Sequence, residues 1–195
     1  MSHLTPWQHY QADLQRDDFS YDPAQEQAVK ALQRVYDELL AAQQKPTGVA
    51  KLLGFLAKPT PQVQGLYLWG GVGRGKTYLM DTFYDALPGE RKLRAHFHRF
   101  MHQIHLDLDG LKGQRDPLLV IAKRMAERYQ VICFDEFFVS DITDAMLLGT
   151  LFQALFAEGV ALVATSNIIP DELYRNGLQR ARFLPAIALI NKHCQ

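Results

Sequence analysis

The chain has 195 residues, and its 21 Lys and Arg balance 21 Asp and Glu, so the formal net charge is zero. Apolar residues make up 48% and charged residues 22%, proportions that exclude a wholly disordered chain and argue against a generally basic nucleic-acid binder. No window is apolar over the ~18 residues that a spanning helix needs, and two cysteines, Cys133 and Cys194, cannot make a disulfide framework. Met1 to Asp18 carries acids and lacks an apolar signal core, so the expected setting is a soluble, globular, cytoplasmic protein.

Residues 1–20 read as polar and mixed, with Pro6, Trp7 and Tyr10 as the only anchors. Asp22-Pro23 then has the form of a helix cap followed by proline at the first helical position. Ala28, Leu32, Val35, Tyr36, Leu39 and Leu40 recur at helical spacing, which predicts one amphipathic helix over 23–43. Residues 44–64, with Pro46, Gly48, Gly54, Pro59 and Pro61, have connector composition. The expected division is therefore a helical segment with its connector, 1–64, followed by a core, 65–195.

Within the core, Leu66–Trp69 reads as a short strand, followed by a glycine-rich turn and a helix from Lys76 to Leu87. Leu93–Phe97 reads as a second strand, leading into a helix through Met101, Ile104 and Leu108. Asp116-Pro117 repeats the cap-plus-proline signature ahead of Leu118, Ile121, Ala122, Met125 and Tyr129. Val131–Phe134 is a continuous apolar strand, as expected where both sheet faces are covered. An apolar helix over 141–158, a strand Val160–Ala164 and a last helix over 185–193 complete the pattern. Alternating strands and helices predict an α/β fold with a parallel sheet and flanking helices.

Gly70-Gly71-Val72-Gly73-Arg74-Gly75-Lys76-Thr77 matches the phosphate-loop pattern at every fixed position, after a strand and opening a helix. Glycines let the backbone wrap a phosphate with its N–H groups pointing inward at a helix N-terminus. Lys76 is expected to bridge β- and γ-phosphates, and the Thr77 hydroxyl to bind Mg²⁺. Asp135 and Glu136 follow an apolar strand, at the end where α/β sheets place ligands. Asp135 suits a role holding Mg²⁺, and Glu136 one orienting and deprotonating an attacking water. Asn167, after the next strand, offers an uncharged amide to the γ-phosphate or that water. Arg180, with Arg182 as runner-up, is a candidate to reach the γ-phosphate of a neighbouring subunit. His96, His98, His102 and His105 are read as packing or hydrogen-bonding residues, and Cys133 as an inert buried thiol.

Together these residues resemble the AAA+ superfamily of P-loop ATPases, and more closely the ZapE-type ATPases of bacterial cell division. The resemblance rests on His96-Phe97-His98-Arg99-Phe100-Met101, on Cys133 to Val139 with Asp141, on Ala164-Thr165-Ser166-Asn167, on Leu173-Tyr174, on Gly177-Leu178-Gln179-Arg180 and on Phe183-Leu184-Pro185. It implies a cytoplasmic, Mg²⁺-dependent hydrolysis of ATP that drives conformational change on a protein partner, with FtsZ or another division protein as that partner. It also implies assembly into a homo-oligomer with Arg180 supplied in trans. AAA+ cores order five parallel strands 5-1-4-3-2 and add a helical lid. Only four strands are counted here, so the fifth strand and the lid are expected to be missing, leaving Leu66–Trp69 unpaired along its outer edge and the chain a weak ATPase. A nucleic-acid-associated ATPase of the helicase-loader type and a small-molecule kinase remain open as alternatives.

Overall fold

A computed structural model of the chain describes residues 4–43 and 62–195. The connector reading of 44–64 therefore lies, up to residue 61, outside the described residues. Among the described residues, seven α-helices and four strands follow in order: α1 (Pro6–Asp13), α2 (Pro23–Gln43), β1 (Leu66–Trp69), α3 (Lys76–Ala86), β2 (Lys92–His96), α4 (Phe97–Gly110), α5 (Pro117–Arg128), β3 (Val131–Asp135), α6 (Ile142–Ala157), β4 (Ala161–Ser166) and α7 (Arg180–His193). Among the described residues, no helix is long and apolar enough to cross a membrane.

The four strands are all parallel and lie in the order β1-β4-β3-β2. Alternation along β3 divides the core. Ile132 and Phe134 join the cluster under α4–α7, whereas Val131 and Cys133 join the one under α1, α2 and α3. The first cluster is rich in aromatic contacts, including Phe97–Phe137 at 4.5 Å and Phe100–Phe134 at 4.7 Å between ring centroids. In the second, Leu32, Val35 and Leu39 of α2 meet Met80 and Phe83 of α3. Because both faces are covered, β1, β3 and β4 carry almost unbroken apolar runs.

Several expectations need correction. Residues 1–20 contain α1, closed by a reciprocal cap in which Gln8 N–H donates to Thr5 Oγ1 and Thr5 N–H to Gln8 Oε1. Its apolar pattern is short because only Pro6 and Tyr10 are buried. Asp22 does accept from Ala24 N–H at 2.8 Å, but Asp116, at φ 51°, makes no side-chain cap to α5. β2 ends at His96, so Phe97 opens α4, and β4 runs on through Thr165 and Ser166. α7 begins at Arg180 and carries Pro185 inside it.

The outer edge of β1 is also not bare. Gly65 N–H donates to His193 O at 2.8 Å, Gln195 N–H to Gly65 O at 3.1 Å, and Tyr67 N–H to Gln195 O at 2.9 Å. These are the bonds of a parallel bridge, Gly65 to Cys194, in the place expected for a fifth strand. Cys194 and Gln195, only two residues beyond the helix, were too few to read as a strand, yet with His193 they pair the Gly65–Tyr67 part of the edge. Arg34 of α2 reinforces the corner by donating to Gln64 O, Gly65 O and Gln195 Oε1.

Candidate functional site

The C-terminal ends of β1, β3 and β4 converge on a cavity of about 400 Å³, lined by Val72, Gly73, Gly75, Lys76, Thr77, Glu136, Thr165, Ser166 and Asn167. The loop and the residues following β3 and β4 are thus brought together, as their positions at parallel strand ends require. Gly73 and Gly75 have φ of 80° and 77°, a region costly for any residue with a Cβ. A Cβ on Gly75 would also lie 2.6 Å from Gln25 Nε2, so the first turn of α2 packs directly on the loop. A second cavity, of about 480 Å³, opens on that side between Gln25, Trp69 and Arg74.

Lys76 folds back on the loop, donating from Nζ to Gly70 O at 2.6 Å and Gly71 O at 2.7 Å. Burial, and secondarily Arg74, lowers its pKa from the usual lysine value. An anion at the loop would replace these two carbonyl contacts with hydrogen bonds in which both partners are charged.

Glu136 follows β3 with φ 53°, a conformation that is strained for a non-glycine residue and that aims its side chain at the cavity rather than along the strand. The turn is held from β4. Glu136 N–H donates to Thr165 Oγ1 at 3.2 Å, and Phe137 N–H to Thr165 O at 2.7 Å. Ser166 Oγ donates to Phe137 O at 2.7 Å and accepts from Ile168 N–H at 3.1 Å. Beneath them, Tyr67 donates to Ile168 O, and burial pushes its phenol up to about 12. Asn167, at the end of this run, is exposed to the cavity.

Asp135 closes β3 and points to the α3 side, where Arg94 of β2 grips it. Arg94 Nε donates to Oδ2 at 2.7 Å and Nη2 to Oδ1 at 3.2 Å, while Nη1 donates to Asp81 Oδ1 at 2.6 Å. Burial opposes the guanidinium's charge, but the two carboxylates outweigh it and raise its pKa. A hydroxyl at Thr77 and a carboxylate at Asp135 are hard oxygen donors, the set Mg²⁺ uses when phosphates and waters supply its other ligands. Among the described residues there is no group of three or more His, Cys, Asp or Glu able to hold a metal. His105 pairs with Asp144 at 2.7 Å, His96 precedes α4, and Cys133 is fully buried with its thiol pushed up to about 12, chiefly by burial.

Arg180 is not among the cavity's lining residues. It begins α7 and donates from Nη2 to Asp171 O at 2.6 Å, and Arg182 donates to Gln179 Oε1 at 3.0 Å. Of the aromatic residues near the turn, Phe97, Phe100 and Phe137 are core, whereas Phe138 is 55% exposed.

Sequence reasoning missed Arg94 and the structural part played by Thr165 and Ser166. Arg94 had a signal: Lys92, Arg94 and His96 alternate with Leu93 and Ala95, so three polar side chains share one strand face. Thr165 and Ser166 had none, since two hydroxyls at a strand end look like the start of any loop.

With this geometry in view, the comparisons are specific. A family model for the AFG1-like ATPases matches residues 4–195. The chain is 56% identical over 203 aligned positions to the cell division protein ZapE of Escherichia coli K12, covering all of this chain and 54% of that protein. It is 47% identical over 150 positions to lactation elevated protein 1 homolog B of Danio rerio, covering 71% of this chain and 30% of the other. The chain therefore spans about half, or less, of the length of these relatives. Among solved structures, DnaI aligns with a TM-score of 0.60 at 18% identity over 92% of this chain and 86% of its own. AMPPCP-bound DnaA from Aquifex aeolicus aligns with a TM-score of 0.53 at 16% identity, over 89% of this chain and 46% of its own. At such identities the structural likeness speaks for the fold alone, a P-loop AAA+ core with a parallel sheet. The sequence comparisons speak for more: this chain belongs to the AFG1-like ATPase family.

Proposed function

We propose that this chain binds ATP with Mg²⁺ and hydrolyses it, and that the turnover drives conformational change on a protein partner in bacterial cell division. The observation that carries the reading is the single cavity in which Lys76 and Thr77 face Glu136 and Asn167. Lys76 and the Gly70–Gly75 backbone take the phosphates, and Thr77 with Asp135 holds the metal, which supplies charge neutralisation on the transferring phosphoryl group. Glu136 orients a water and accepts its proton, and Asn167 steadies the γ-phosphate or that water. The division setting, a cytoplasmic location and FtsZ as partner rest on similarity to the ZapE type.

Glu136→Gln tests the hydrolytic step. It retains the side chain's shape but cannot take a proton. ATP affinity is expected to stay within a few-fold, while phosphate release falls by roughly 10²–10⁴. Wild-type turnover in this variant would give the base role to another residue. For Arg180 we propose action in trans, since its hold on Asp171 O is a single exposed contact that a partner's phosphate can replace. Mixing Arg180→Ala with Lys76→Ala chains should restore activity by pairing an intact loop with an intact arginine. Co-assembly without restored activity would end that role.

A further inference from the structure

The charged face of β2 serves two ends. Lys92 spends its ammonium on Tyr84 O and Leu87 O, both at 2.7 Å, near the C-terminal end of α3. Each of Arg94's three nitrogens donates to a carboxylate. Two of its nitrogens take the two oxygens of Asp135, and the third takes Asp81. Its side chain is 23% exposed, against 14% for Asp135 and 51% for Asp81. An arginine needed only to tie β2 to α3 would be satisfied by Asp81, which belongs to α3. The fork is instead set on the last residue of β3, whose register partner on β2 is His96 and not Arg94, so the guanidinium reaches along the strands to grasp it.

We propose that Arg94 is a positioning residue for Asp135, fixing the carboxylate so that it meets the water shell of the nucleotide's divalent cation. This rests on the nucleotide-hydrolysis reading and extends it to a residue outside the cavity lining. A carboxylate has about four lone-pair sites. The side-on fork takes one on each oxygen and leaves one on each, in a fixed plane, for further hydrogen bonds. The same fork offsets the charge of a group that is mostly covered, where an unpaired carboxylate is costly. Without it, Asp135 and Asp81 repel each other, and Asp135 turns toward bulk water and away from the loop. Lysine would retain the charge but not the fork, because an ammonium is a point donor.

The test is binding of a fluorescent ADP to the full chain, titrated with MgCl₂ and repeated in EDTA. Arg94→Met is expected to raise the Mg²⁺ concentration at half-effect about tenfold, the scale seen when the group orienting a metal ligand is lost. Arg94→Lys should give a smaller rise in the same direction and serves if the methionine variant does not fold. Affinity in EDTA should match the parent in both, because the loop itself is untouched. Asp81→Asn removes the other end of the arginine's contacts and should leave the Mg²⁺ half-point where it was. An unchanged or lowered half-point in the Arg94 variants overturns the proposal, as does an Asp81→Asn shift as large as that of Arg94→Met. A parent chain that binds no ADP with or without metal removes the nucleotide reading, and this proposal with it.

Discussion

The loop from Gly70 to Gly75 and the turn at Glu136 border one cavity but are held by different means. Around the loop, a Cβ added at Gly70, Gly71 or Gly73 would meet nothing within 4 Å, and Lys76 is bonded only to the loop's own carbonyls. The Glu136 turn is pinned by three hydrogen bonds to Thr165 and Ser166 of β4. It rests on Phe137, which is buried among Phe97, Phe134 and Phe152. The Glu136 turn is thus fixed by a second strand and an aromatic core, whereas the lysine's contacts stay within the loop.

Lys76→Ala would break the comparison on its open side. Because the lysine serves the loop and not the core, ATP affinity should fall on the order of 100-fold with the melting temperature nearly unchanged. Isothermal titration and a thermal melt measure both, and equal affinity for the two proteins would contradict the phosphate-loop reading. Thr165→Val attacks the pinned side. Losing the hydroxyl leaves the Glu136 N–H without its partner in a strained turn, at a cost of about 1–2 kcal/mol. The expected outcome is roughly tenfold slower phosphate release with little change in KM, restored by Thr165→Ser. Equal rates for valine and threonine would mean that the bonds to Phe137 and the aromatic packing hold the turn without the Thr165 hydroxyl. Gly73→Ala is the mildest probe. The space around it is open, so only the φ of 80° opposes the change, at about 1 kcal/mol. Calorimetry should show ATP binding weakened a few-fold.

The contrast also explains what could be read in advance. The phosphate loop is legible because its chemistry is backbone chemistry, and backbone demands are met by glycines at fixed spacing. β3 and β4 are legible because both faces are buried, and β3 follows its apolar run residue for residue until Asp135. α1 is nearly illegible, since a two-turn helix with two buried residues leaves no periodic trace; its signal lay in Thr5 and Gln8, not in hydrophobicity. The bonds of Thr165 and Ser166 could not be foreseen either, because their partners arrive from another strand and no local pattern announces them. The same holds for Arg94, whose meaning depends on where β3 stops. The paired edge of β1 was missed for a related reason: it needs residues 193–195 to meet residues 65–67, a contact that composition does not encode.

That edge has a consequence for the order in which the molecule comes together. β1 pairs with β4 on one side and with the chain's last residues on the other, and with neither β2 nor β3. The phosphate loop hangs from β1, so the earliest motif in the chain has no sheet to stand on until much later sequence is present. Closing such distant contacts costs chain entropy before they repay it. During synthesis from the N-terminus, α2 and α3 can pack on each other first, with the glycine loop between them still unframed. The glycine loop is therefore framed only once the strand that carries Thr165 lies beside β1.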